Sequence, residues 1–362
     1  MAFISSKNAI HTHMPSNAVR KSIYVAVSVL ERDSELPVTI LSCLQNRSGN
    51  NDVSIGVAYI STDEAFASQQ QESPDIFSIP NVIIRHFPLA ENYGIGKGRN
   101  AAYSMYGDED YVLQVDAHSY FVKDWDSKLI ETHSRALKIT NNERTVVTGV
   151  PEPYWYPSQK NYELDYSESD VVGYPYWMTG WWWVKDAIPR WRHKDPSHVT
   201  MNLEKLVTET GFAPAIKVTG AFMFSTRILV QHVGLHPEFL FWEEEIVQSI
   251  ELINSGFSLV YPYVPCPILH MYCEEKTEEY GNRENVRDLA AGAGFTGDIF
   301  EEIEKNMQKY FTNPDNKNKI KSYEAYAGIY LGDANRKMYF KFNNLVRRNQ
   351  YEYANVGAYP ID

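Results

Sequence analysis

Eight residues near the start of the chain, Ile23-Tyr-Val-Ala-Val-Ser-Val-Leu30, form a continuous apolar run rich in β-branched side chains. A run of this kind lacks the polar alternation of a half-exposed strand and reads as a strand buried on both faces, which requires cover above and below it. Val53 to Ile60 and Asn81 to Phe87 read as further strands, and Tyr111-Val-Leu-Gln-Val115 as a short one delivering Asp116. Pro37 suits the first turn of a helix whose apolar stripe is Ile40, Leu41 and Leu44, and Gly98 to Met105 reads as a helix entered from a glycine-bearing loop. The Gln- and Ser-rich stretch between the second and third strands reads as a loop. Alternating strands and helices over about the first 120 residues predict an α/β fold with a mostly parallel sheet flanked by helices. Ligands of such sheets bind beyond the carboxyl ends of the strands.

Pro151 to Pro214 is irregular and aromatic, with Trp177, Trp181-Trp182-Trp183 and Trp191, and reads as long loops over a site. These rings either pack or form a stacking floor for a sugar or base. Periodic structure resumes with Ile216 to Ser225, a helix through Glu245 to Asn254 and a strand from Ser258 to Tyr261, and His270 follows a Pro-rich stretch. Beyond Gly281 the pattern is helical and charged, over Asn282 to Ala291, Ile299 to Phe311 and Ser322 to Tyr330. This organisation predicts an N-terminal segment (1–22), a main α/β domain (23–280) and a helical C-terminal extension (281–362).

The formal net charge of −12 argues against a chain that coats nucleic acid non-specifically, since that requires a broad basic surface. A local basic excess does exist between Asn313 and Arg348, read as either a solvated helical surface or a hold on a polyanion. Cys43, Cys266 and Cys273 are odd in number and widely spaced, which points to a reducing compartment without structural zinc. No signal-peptide core and no apolar stretch of about 20 residues is present, so the expected location is cytoplasmic, with no membrane partner. The sequon Asn46-Arg47-Ser48 is then coincidental.

The chemistry centres on Asp116-Ala-His118, a carboxylate and an imidazole two residues apart at a strand end. Oxygen and nitrogen ligands of this kind suit Mn²⁺ or Mg²⁺. The spacing alone also fits a capped turn with a surface histidine, so its neighbours matter. Arg99 stands near a helix N-terminus, a poor place for a cation unless an anion is bound there. Glu243-Glu-Glu245 follows the apolar run Phe239-Leu-Phe-Trp242, and carboxylates buried in that way need partners.

In these motifs the sequence resembles the polypeptide GlcNAc-transferases that modify hydroxyproline, and is more distantly similar to the polypeptide GalNAc-transferases. The resemblance is carried by Gly94 to Arg99, Asp116-Ala-His118, Trp125-Asp126, Arg32-Asp-Ser-Glu-Leu36, Glu243-Glu-Glu245 and His270-Met-Tyr272. Gly98 stands where the pattern has Ala, and Glu243 where it has Gly. The resemblance implies a GT-A-like nucleotide-sugar-binding sheet with Asp116, His118 and His270 as metal ligands. It further implies Arg99 and Asp116 on the nucleotide, Glu31, Arg32 and Asp33 near uridine, and Glu244 and Glu245 as catalytic-site carboxylates near the donor sugar or acceptor hydroxyl.

The expected activity is transfer, with retention, of a sugar from a UDP-sugar, with GlcNAc favoured, to a hydroxyl on a protein or on a hydroxymethylated DNA base. The competing readings are a catalytically silent nucleotide-sugar-binding or scaffold protein and a metal-dependent enzyme that cleaves the pyrophosphate.

Overall fold

The computed structural model describes residues 20–30, 33–149, 151–153, 210–215, 217–233, 236–240, 243–262, 266–271 and 299–326. The strands are β1 (Ser22–Leu30), β2 (Asp52–Ser61), β3 (Val82–Pro88), β4 (Tyr111–Asp116), β5 (Ser119–Phe121), β6 (Thr145–Thr148), β7 (Glu152–Pro153), β8 (Phe212–Pro214), β9 (Phe222–Thr226), β10 (Ser258–Pro262) and β11 (Ile268–His270). The helices are α1 (Leu36–Gln45), α2 (Asp63–Glu72), α3 (Leu89–Asn92), α4 (Ile95–Tyr103), α5 (Trp125–Thr140), α6 (Glu243–Asn254) and α7 (Ile299–Thr312).

Eight strands form one sheet in the order β3-β2-β1-β4-β9-β6-β10-β8. The apolar run that opens the chain is β1, near the centre, paired in parallel with β2 and β4. Its two faces are covered as its composition requires. Val25, Val27 and Val29 join Leu113, Val115, Trp125, Leu129, Leu36 and Ile40 in one core, on the side of α1 and α5. Tyr24 and Ala26 join Ala102, Tyr103, Met223 and Leu252 in the other, on the side of α4 and α6.

The expected parallel arrangement holds for β1 to β4 and for β6 with β10, whereas β9 runs antiparallel between β4 and β6, and β8 antiparallel to β10. A second, three-stranded sheet, β5-β11-β7, sets β11 beside the segment that follows Asp116.

The Gln-rich stretch read as a loop is the helix α2. Thr62 caps it by accepting from the Ala65 N–H, and Asp63 and Glu64 occupy the first turn, where acids favour a helix. Gln69 is its one buried residue, so no apolar stripe announced it. Helix α4 begins at Ile95, earlier than expected, and lies so close to the sheet that a side chain at Gly98 would crowd it. A Cβ there would stand 2.9 Å from Ile60 Cδ1 and 3.2 Å from Ser28 Cβ.

Trp125 and Asp126 serve the scaffold. The fully buried Trp125 donates from Nε1 to the Cys43 carbonyl at 2.8 Å. The equally buried Asp126 accepts from Ser48 N (2.7 Å), Ser48 Oγ (2.8 Å) and Asn51 Nδ2 (2.8 Å). The Asn46 amide of the sequon is likewise engaged, donating to Phe121 O at 2.6 Å.

At the other end, Met307, Tyr310 and Tyr323 share a core with Phe239, Ile246, Val247 and Ile250, so α7 and the helical residues 317–326 pack against α6. Of the other expected features, Asn282 to Ala291, the Trp181 to Trp183 run, Trp177, Trp191 and the basic residues beyond 326 lie outside the described residues.

Candidate active site

Asp116 is the last residue of β4, His118 stands between β4 and β5, and His270 is the last residue of β11. Antiparallel pairing of Ser119 with His270 and the bond from Met271 N to His118 O (2.9 Å) bring the two histidines together. Their rings meet edge to face at 4.5 Å. His270 Nε2 lies 3.0 Å and His118 Nε2 3.9 Å from Asp116 Oδ2, and one potential ligand atom from each residue falls within 4.8 Å of the others.

Adjacent ligands of one small divalent ion, at bonds of about 2.1 Å, lie roughly 3 Å apart, and opposed ligands about 4.2 Å. The cluster fits such an ion with small adjustments, and one carboxylate with two imidazoles is a donor set able to hold a divalent first-row metal. Burial alone would push the Asp116 carboxyl up. The hydrogen bond from His270 and the nearby His270, His118 and Arg99 outweigh it and hold Asp116 well below the usual carboxylate range, ready to ligate.

Arg99 extends from the second turn of α4 and is buried, its guanidinium bound to Glu244 and 4.0 Å from Asp116 Oδ1. Although burial works against its charge, Glu244 and then Asp116 raise its pKa, so it is a fixed cation between two carboxylates. Burial pushes the Glu244 carboxyl up, and the neighbouring Glu245 adds to that against the pull of Arg99. The helix-terminus argument made for Arg99 takes a different form here. The first N–H groups of α4 are already bonded to carbonyls, Ile95 N to Leu240 O (3.1 Å) and Gly96 N to Phe239 O (3.0 Å).

Glu244 and Glu245 open α6, as the apolar run before them suggested: Phe239 and Leu240 are buried, while 241 and 242 lie outside the described residues. Glu245 binds Lys217 Nζ and accepts from Gly220 N at 2.7 Å. Gly220 O accepts from Gln114 Nε2 at 2.8 Å, and a Cβ on Gly220 would stand 1.7 Å from an Arg99 nitrogen. Lys217, Gly220 and Gln114 are thus parts of the site that sequence reading missed; a glycine just ahead of the run Phe222-Met-Phe224 was the available signal.

Of the first-strand turn expected near uridine, Glu31 and Arg32 lie outside the described residues. Asp33 is described, and its Oδ2 lies 2.8 Å from His118 Nδ1.

The acid–imidazole cluster thus sits at the carboxyl end of a central strand of a helix-flanked α/β sheet, where such sheets bind ligands. A family model, Glycosyltransferase (GlcNAc), matches residues 14–321, and the chain belongs to that family. Among solved structures, the crystal structure of GalNAc-T7 with UDP, GalNAc and Mn²⁺ is similar over 82% of this chain and 52% of that one, with 16% identity and a TM-score of 0.48. The chain therefore spans about half the length of that protein. No curated protein matches the sequence. No helix among the described residues is long and apolar enough to cross a membrane.

Proposed function

We propose that the chain is a metal-dependent, retaining glycosyltransferase that moves a sugar, GlcNAc favoured, from a UDP-sugar to an acceptor hydroxyl, using Mn²⁺ or Mg²⁺ held by Asp116, His118 and His270. The convergence of these three residues, within 4.8 Å of one another and drawn from two sheets, carries the reading. A bound divalent ion supplies positive charge to offset the negative charge of the departing pyrophosphate.

The chain's own residues bind and orient. Asp116 is kept ionised by His270, His118 and Arg99. Arg99 ties it to the first turn of α6, so that a shift of Glu244 would be felt at Asp116. Glu245, partly exposed, is the carboxylate best able to reach a donor sugar or acceptor hydroxyl, with Lys217 and the Gly220 N–H fixing its orientation.

Glu244 and Glu245 both being engaged by cationic or N–H partners argues against either as a nucleophile. The favoured chemistry is same-face displacement: the bond from the sugar's anomeric carbon to the phosphate oxygen breaks with its electron pair leaving on UDP. The acceptor oxygen bonds to that carbon, and its proton passes to the departing phosphate oxygen. A covalent glycosyl-enzyme trapped on Glu244 or Glu245 would refute this.

The acceptor class is a protein hydroxyl in the first instance, with a hydroxymethylated DNA base the competing one, and the location is cytoplasmic. Lys319, one of the basic residues that suggested a polyanion, is committed to Glu251 at 2.9 Å, which weakens the DNA alternative.

The test is UDP release from a panel of UDP-sugars with Mn²⁺, with and without chelator, for the wild type and Asp116→Ala. Chelator-sensitive release from one donor, absent in the variant, is expected. UMP and sugar phosphate as products would instead identify pyrophosphate cleavage, and no turnover of any donor a catalytically silent protein.

A further inference from the structure

Asp33, expected near uridine, lies against His118: we propose that Asp33 is a positioning residue that sets the tautomer and orientation of His118 for metal binding. The inference rests on the proposed metal role of His118.

The geometry is specific about which nitrogen is which. Asp33 Oδ2 lies 2.8 Å from His118 Nδ1, inside the range of a charge-assisted hydrogen bond. An ionised carboxylate can only accept, so Nδ1 carries the hydrogen, and in the neutral ring Nε2 is then left with a lone pair. Nε2 is also the nitrogen on the Asp116 side of the ring, 3.9 Å from Asp116 Oδ2. The ring is braced by His270, edge to face at 4.5 Å, and the His118 backbone carbonyl by Met271 N.

Asp33 is itself held, its Oδ1 accepting from the Glu35 N–H at 3.0 Å at the entry to α1. The two side chains are 18% and 14% exposed, so water competes weakly for the pair. A carboxylate behind a metal-binding imidazole fixes ring orientation and raises ligand basicity. The loop after β1 therefore completes the metal site from behind, where a nucleotide contact would leave the Nδ1 of His118 without this acceptor.

Two measurements on the full chain separate the possibilities. Histidine-selective ¹⁵N spectra of the metal-free protein, taken at about pH 8.5 where an ordinary imidazole is neutral, should report the Nδ1–H tautomer for His118, assigned by loss of its signals in His118→Ala. In Asp33→Ala the signals should move toward the Nε2–H tautomer. Asp33→Asn, which keeps an accepting oxygen, should preserve the wild-type tautomer.

Mn²⁺ binding without nucleotide should weaken roughly 10–100-fold in Asp33→Ala and less in Asp33→Asn. An unchanged tautomer in Asp33→Ala overturns the inference. So does unchanged Mn²⁺ affinity with weakened UDP binding, which is the signature of a uridine contact. A wild-type chain that binds no Mn²⁺ refutes the metal reading and the ligand-orienting role with it; the tautomer shift read beside it tells that failure apart from failure of the hydrogen bond.

Discussion

Replacing Arg99 with Met removes the cation that Glu244 faces while keeping most of the side-chain volume, and leaves a carboxylate that is 5% exposed with its principal counter-charge gone. Breaking a buried pair on one side costs about 3–5 kcal/mol, because the remaining charge is stranded. The carboxyl has an escape, which is to take up a proton, and that caps the cost. Starting from its ordinary value of 4.5, neutralising it at about pH 7 costs 2.5 pH units at about 1.4 kcal/mol each, or about 3.4 kcal/mol.

At about pH 5 the same step costs only about 0.7 kcal/mol. The sign follows from burial raising the carboxyl: the folded variant binds more protons than the unfolded chain above pH 4.5, so its stability falls as pH rises. Urea unfolding of Arg99→Met against wild type should therefore show a deficit of about 3 kcal/mol at about pH 7 that shrinks toward 1 kcal/mol or less at about pH 5. The double variant Arg99→Met with Glu244→Gln should recover most of it. Equal deficits at both pH values, with no recovery in the double variant, would refute the account of Arg99 as the counter-charge of a buried Glu244.

Three further outcomes follow from other contacts. Gly220→Ala should cost about 1–3 kcal/mol by forcing Arg99 off Glu244, and less in an Arg99→Met background, as denaturant midpoints of the four chains would tell. Gly98→Ala should lower Tm through its collision with Ile60, and Ile60→Val should relieve part of the loss.

Glu251, held at about 2 by His236, Lys319 and Tyr310 against the upward push of burial, contributes stability above its unfolded value that is lost as pH falls from about 4.5 to about 2. Allowing for the exposed Lys319 side, the contribution is about 2 kcal/mol. Amide protection factors over 299–326, referred to the intrinsic exchange rate at each pH, should fall on acidification toward about pH 3, and in Glu251→Gln that pH dependence should be largely absent.

Much of the scaffold was legible locally. A doubly buried strand announces itself by composition, because each of its side chains meets an apolar neighbour whichever face it points to, and Ile23 to Leu30 did so. The Asp116 strand end, the α6 carboxylates behind Phe239 and Leu240, and the helix after Pro37 were likewise readable from short stretches. Helix α2 was not, since it lies on the surface and is held by a cap, Gln69 and the single ring of Phe66 rather than by an apolar stripe. Nor was the antiparallel entry of β9: strand direction is decided by where the chain returns, and no local pattern records it.

By itself the sequence determined the α/β class, the residue types able to bind a metal ion and the positions of most elements, because these depend on side-chain chemistry and short-range period. Tertiary structure alone decided who meets whom. Asp33 and His118 are 85 residues apart, Arg99 and Glu244 are 145 apart, and Asp116 and His270 are 154 apart. Separations of that length are closed by sheet pairing and helix packing, and only there does Asp33 come within hydrogen-bond reach of His118 and Arg99 become the buried link between two acids.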